Sequence, residues 1–157
     1  MRRSASSVVI IGLAALHLFS PPSSASPPLC AGPRSLRTEF NAATAVFQGR
    51  VIGKEERELP HPIGPVKKSQ VFRFIVEQWW KGENKKEAEV HIMKIETSKG
   101  RYTFAPESFI FKEGKPYLVY AFGDKAMLVT SRCTRTKNIE RAQEDLNLLG
   151  KGQKPEP

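Results

Sequence analysis

The chain is poor in the residues that carry metal and thiol chemistry. Of 157 residues, only two are cysteine and three are histidine. Two cysteines cannot build the dense disulfide framework of a small stapled scaffold. His17 lies in a leader-like segment, His61 in Pro60-His61-Pro62, and His91 beside Met93. Neither of the latter two has a histidine or carboxylate at familiar metal-ligand spacing, so no residue is assigned to a metal. No G-x-S-x-G, H-E-x-x-H, P-loop or dinucleotide fingerprint occurs, so none is assigned to catalysis or to a cofactor. Acidic residues are also scarce: 16 stand against 25 lysines and arginines, for a formal charge of +9. No internal repeat is evident, and no apolar run reaches the roughly 20 residues a membrane span needs.

What is present begins with Met1-Arg2-Arg3, a nearly continuous apolar run from Val8 to Phe19, and then small residues. Ser23 and Ala25 occupy the −3 and −1 positions of a cleavage site. This is the three-part layout of a secretory signal peptide over residues 1–25. Cleavage there removes Arg2 and Arg3 and lowers the net charge by two, still strongly basic. In an exported chain the two cysteines, Cys30 and Cys133, are expected to pair. The loop so closed, of about 100 residues, contributes roughly 4–5 kcal/mol in the chain-entropy account.

Ser26–Pro33 is proline-rich and reads as extended. Ser35–Ala43 reads as a short helix, and Thr44–Ile52 as a strand with Ala45, Phe47, Gly49 and Val51 on one side. Gly49 inside it marks a bulge. Gly53–Lys68 is charged and contains Pro60, Pro62, Gly64 and Pro65, which predicts a loop. Ser69–Trp80 is the clearest strand, with Phe72, Phe74, Val76 and Trp80 on the core face and Arg73, Glu77 and Trp79 on the other. Strands follow at Ala88–Thr97, Tyr117–Phe122 and Ala126–Ser131. A helix is expected over about Asn138–Leu149, with Glu140, Glu144 and Asp145 facing water and Gly150 as the stop. Residues 151–157 are expected to be a disordered tail. Such a series of turn-linked strands with a helix at each end predicts a mainly β fold, a small antiparallel barrel or sandwich.

Several phrases line up in order. Ala45-Val46-Phe47-Gln48-Gly49-Arg50-Val51 opens the first strand, and Trp80-Lys81-Gly82 ends the second. Phe111-Lys112-Glu113-Gly114-Lys115-Pro116-Tyr117 leads into the buried strand, and Thr130-Ser131-Arg132-Cys133-Thr134 precedes the last helix with its Ala142-Gln143-Glu144-Asp145-Leu146. Together they resemble exported bacterial proteins related to tissue inhibitors of metalloproteinases (TIMP) and to netrin-like modules, over roughly Cys30–Gly150. The resemblance implies an OB-fold-like barrel over residues 26–150, flanked by a short N-terminal helix and a C-terminal helix. Such proteins often begin Cys-x-Cys, with a further cysteine before the buried strand. Here Pro28 stands where the first cysteine would be, and the stretch before Phe111 has none. Cys30–Cys133 is then the surviving bridge. The zinc-chelating mechanism of the animal inhibitors needs a cysteine at the first mature position, whereas Cys30 follows several residues.

The function expected is that of a non-catalytic binding domain, secreted or periplasmic, with a protein or an anionic polysaccharide or surface polymer as partner. Export directs it away from nucleic acid, and no stable membrane span remains after cleavage. The alternatives are a metalloprotease inhibitor and an unrecognised enzyme using His91 or His61. Because Phe72, Phe74 and Trp80 read as core, the candidate ligand face is the opposite one. It holds Arg73, Glu77 and Trp79, joined by His91 and Lys94.

Overall fold

The computed structural model describes residues 30, 32, 34–59 and 67–156. The leader over 1–25 and His61 lie outside the described residues. Helix α1 spans Leu36–Ala42; its N-cap is Ser35, whose hydroxyl accepts from the Thr38 amide at 3.1 Å. Strands β1 (Ala45–Leu59), β2 (Lys67–Lys81), β3 (Glu87–Glu96) and β4 (Tyr102–Phe104) follow. Then come β5 (Pro116–Gly123), β6 (Leu128–Val129) and β7 (Lys137–Asn138). A 3₁₀ turn over Ile139–Arg141 leads into helix α2, Gln143–Leu149.

The protein is mainly β. Its sheet closes on itself: β1 pairs with β2, β2 with β3, β3 with β6, β6 with β5, and β5 with β1. All of these contacts are antiparallel except β3–β6, which is parallel. The inside of the ring is packed with aromatic rings. Phe47 meets Phe74 at 5.4 Å between centroids, Phe74 meets Phe111 at 5.0 Å, and Phe111 meets Tyr117 at 5.0 Å. Each ring buried in this way stabilises the fold by about 1.5–3 kcal/mol. A second cluster lies outside the ring. Ala43, Val46, Leu118, Tyr120 and Ala142 are buried there under Phe40, Trp80, Leu146 and Leu149. Thus α1 and α2 cover the outer face of β1 and β5.

Several expectations are corrected. The loop expected over Gly53–Lys68 is mostly strand, because β1 runs on to Leu59 and β2 starts at Lys67. Its charges are cross-strand pairs: Lys68 lies 3.5 Å from Glu56 and 3.3 Å from Glu58. With polar residues on both faces the segment shows no alternation. The strand expected over Ala126–Ser131 shrinks to Leu128–Val129, because the Asp124 carboxylate accepts from the amides of Ala126 and Met127 and holds them in a turn. The C-terminal helix is split at Ala142, whose backbone (φ −100°, ψ 3°) leaves helical geometry. Residues 151–156, expected to be a disordered tail, return to the sheet. Gln153 exchanges two backbone hydrogen bonds with Trp79, at 2.8 and 2.6 Å, and the Glu156 amide donates to Asn84 O at 2.9 Å.

The tryptophans are exchanged relative to the alternation. The β1–β2 register slips between Gln48 and Gly49, leaving Glu77 as an extra residue, and again between Val46 and Phe47, leaving Trp80 as another. The first bulge reverses which parity faces inward, so Trp79 follows Val76 into the core. There its ring packs 5.0 Å from Phe47. Trp80 turns to the helices instead, and its indole N–H donates to Gly150 O at 2.8 Å. Gly49 permits the first slip: a Cβ there would sit 2.9 Å from the Ile75 carbonyl oxygen.

Candidate functional site

The structure disperses the candidate ligand face. Arg73 is exposed on the outer face of β2, opposite Glu89 of β3. His91 shares that face, paired with Val71, one position further along. Trp79 has left it for the core, where it is 4% exposed and its indole N–H donates to Lys85 O at 2.8 Å. Lys94 lies on the opposite face, ion-paired with Glu56 and 5.4 Å from the centre of the Phe104 ring. Glu77 sits at the bulge, accepting from the Gln48 amide at 2.7 Å and 3.6 Å from Arg50.

His91 is buried on a sheet face that would otherwise meet water. The reason is a roof: Arg57 of β1 reaches across β2 to Glu89 of β3 with two hydrogen bonds, at 2.9 and 3.3 Å, and is also paired with Glu55. Beneath it Ser69 and Val71 have no exposed surface. Ser69 Oγ lies 3.2 Å from His91 Nδ1, while His91 Nε2 is buried without a hydrogen-bond partner. Burial lowers the His91 pKa and the Arg57 charge lowers it further, against the opposing pull of Glu89. As a nucleophile–base pair Ser69 and His91 lack access to substrate, since the serine is fully covered.

A cavity of about 390 Å³ opens at the end of the ring where β2 turns into β3 and β5 into β6. Its floor is Trp79. Its walls carry Glu83, Lys85, Glu87 and Glu89 from the β2–β3 connection and β3, and Lys125 from the β5–β6 turn. Gly82, in the β2–β3 connection, has φ 130°, and a Cβ on it would fall 2.5 Å from the Trp79 ring. Glycine therefore lets the loop lie flat over the indole. Hydrogen bonding from Lys85, at 2.7 Å, holds the Glu83 carboxyl below its ordinary value, with Lys125 contributing. Glu89 is likewise lowered, first by Arg57. The cavity therefore presents ionised carboxylates and ammonium groups side by side over an aromatic floor. It can orient a polar ligand that carries both charges.

No protein-family model matches the chain, and comparison with curated proteins finds no match.

Among the described residues no group of three or more histidine, cysteine or acidic side chains is placed to hold a metal. None of their helices is long and apolar enough to cross a membrane. Cys30 and Cys133 form a disulfide with Cα atoms 5.3 Å apart. Of the cavity walls, sequence reading had marked only Trp79, and on the wrong face. Glu83, Lys85 and Lys125 sit in turns that carry no pattern of their own, and only the closure of the ring brings the two turns together.

Sequence reading also missed a buried carboxylate. Asp145, expected to face water, has no exposed surface. Arg135 holds it with bonds of 2.9 and 2.5 Å, Lys137 Nζ lies at 3.1 Å, and the Tyr120 hydroxyl donates at 3.2 Å. Burial alone would raise its pKa, but the hydrogen bonds from Arg135 and Lys137 outweigh it and hold the carboxyl below its ordinary value. A signal existed: position 145 falls between Ala142 and Leu146 and Leu149, on the apolar side of the helix.

Proposed function

We propose that the protein is an exported, non-catalytic binding domain of the netrin-like, OB-barrel class. It holds a segment of a partner protein in the cavity floored by Trp79. The observation that carries this reading is the lining of that cavity, in which Glu83, Glu87 and Glu89 stand together with Lys85 and Lys125. A uniformly anionic polymer would be repelled by the three carboxylates. A polypeptide, with its own mixed charges and amide groups, complements such a surface. The OB assignment is supported by the order of the ring, β1-β2-β3-β6-β5, with its single parallel seam and helices packed outside it. The disulfide supports export.

The test is selection of peptide ligands from a random library on the purified Ser26–Pro157 domain, followed by NMR titration. The expected outcome is a shift of the Trp79 indole N–H resonance on binding. Charge reversal at Lys85 and Lys125 together should weaken the selected peptide by about tenfold or more. If no peptide engages Trp79, and heparin binds instead with a steep salt dependence, the partner is a polyanion and the reading fails. Stoichiometric inhibition of a zinc protease would favour the inhibitor alternative.

A further inference from the structure

A further cavity, of about 330 Å³, lies between α1 and the segment that follows β6. Its wall includes Glu39 of α1, a carboxylate that is 1% exposed. Glu39 Oε2 has no hydrogen-bond partner. The nearest cation, Arg34, approaches only to 4.0 Å, and its side chain is 59% exposed. A buried carboxylate left in this state is costly. Asp145 shows the alternative within the same fold, since it is equally buried but takes four hydrogen bonds from three side chains.

The rest of the wall indicates what would satisfy Glu39. Ser131 Oγ, which accepts from the Cys133 amide at 3.2 Å, keeps a lone pair for a further donor. The Thr130 and Thr134 hydroxyls are engaged with each other, with Thr136 and with the carbonyls of Tyr120 and Ser131. Phe122 and Val129 supply apolar surface. One carboxylate with hydroxyls is a poor divalent-metal site, which takes six or more oxygen ligands. It suits a cation that brings several N–H donors on an aliphatic stem. We propose that the Glu39 cavity binds an alkylammonium group. The ammonium displaces Arg34 and pairs with Glu39, donating a further proton to Ser131 Oγ, while its methylenes lie against Phe122 and Val129. The group comes from a free diamine or from a lysine side chain of a partner; the chemistry at Glu39 is shared.

The experiment uses isothermal titration of the disulfide-intact protein with putrescine and, separately, with N-acetyl-lysine methylamide. At least one is expected to bind saturably below about 10 mM. Preference for the diamine identifies a small-molecule source, and preference for the lysine derivative identifies a protein source. Glu39→Gln should weaken binding about tenfold or more while circular dichroism stays unchanged. Should Glu39→Gln not fold, Arg34→Ala gives the independent reading: loss of the competing guanidinium should tighten binding. Absence of binding by either probe, equal binding by Glu39→Gln, or an Arg34→Ala variant that binds no more tightly overturns the proposal and leaves Glu39 a carboxylate satisfied by water alone.

Discussion

At the scale of single residues, the polar groups inside the fold matter more than those on its surface. Asp145 joins α2 to β5, to the segment before β7 and to β7 itself, because its partners Tyr120, Arg135 and Lys137 come from those three places. Asp145→Ala strands two cations at the edge of the core and is expected to cost about 3–5 kcal/mol in urea unfolding, as for other broken buried pairs. Its lowered pKa makes it a source of acid lability. The stabilisation is complete above the unfolded-chain value near 3.8 and is lost as pH falls through the lower folded value. His91 acts in the same direction at milder pH. Its folded pKa lies below the ordinary 6.5, so unfolded chains take up a proton first, and stability falls as pH drops below that value. A His91→Gln variant is expected to lose this slope between pH 7 and 5, roughly, while keeping the acid limb set by Asp145. Melting temperatures of the two variants, followed from about pH 7 down to about pH 2, check both statements.

At the scale of elements, β2 decides the interior. Its two extra residues, Glu77 and Trp80, send adjacent tryptophans to opposite cores. The bulge at Glu77 depends on close approach of the strands at Gly49. Gly49→Ala should force its Cβ against the Ile75 carbonyl and destabilise the protein by about 1–3 kcal/mol, measured by chemical unfolding. The end of β2 is held in turn by the C-terminal residues. Gln153 and Glu156 supply three backbone hydrogen bonds to Trp79 and Asn84. Truncation after Gly150 is expected to cost roughly 1–3 kcal/mol, near 1 kcal/mol for each bond less the entropy regained by the tail. A loss in that range, with sharpened exchange of the Trp79 amide, separates a structural role from that of an idle tail.

At the scale of the whole molecule, the ring has one thin place. β6 is two residues long, and among the described residues it alone joins β3 to β5. The disulfide lies just beyond it and ties this seam to the residue that leads into α1. Reduction should therefore act mainly on β6 and its neighbours, with a total loss approaching the roughly 4–5 kcal/mol of the chain-entropy account. Hydrogen exchange of the reduced protein should show Leu128 and Val129 losing protection before Phe74 does. If the protein is exported as proposed, intact mass and N-terminal sequencing of the native material should give a start at Ser26 and a mass two protons light. A start at Cys30 would instead expose a cysteine amine and return the zinc-chelating mechanism to consideration.

The sequence by itself determined the β-rich character, the positions of most strands, the short helix α1 and the pairing of the two cysteines. These follow from period-two runs, from the helical spacing of Leu36, Phe40 and Ala43 and from the small number of thiols, all of which are local or compositional signals. Only the tertiary structure decided which tryptophan is core, that Asp145 is buried, and that the turns bearing Glu83 and Lys125 share one cavity. A bulge shifts parity by one residue without changing the composition of a strand, and a buried charge is recognisable only with its partners in place. The cavity walls come from segments some forty residues apart, which meet because β5 and β6 close the ring beside the start of β3.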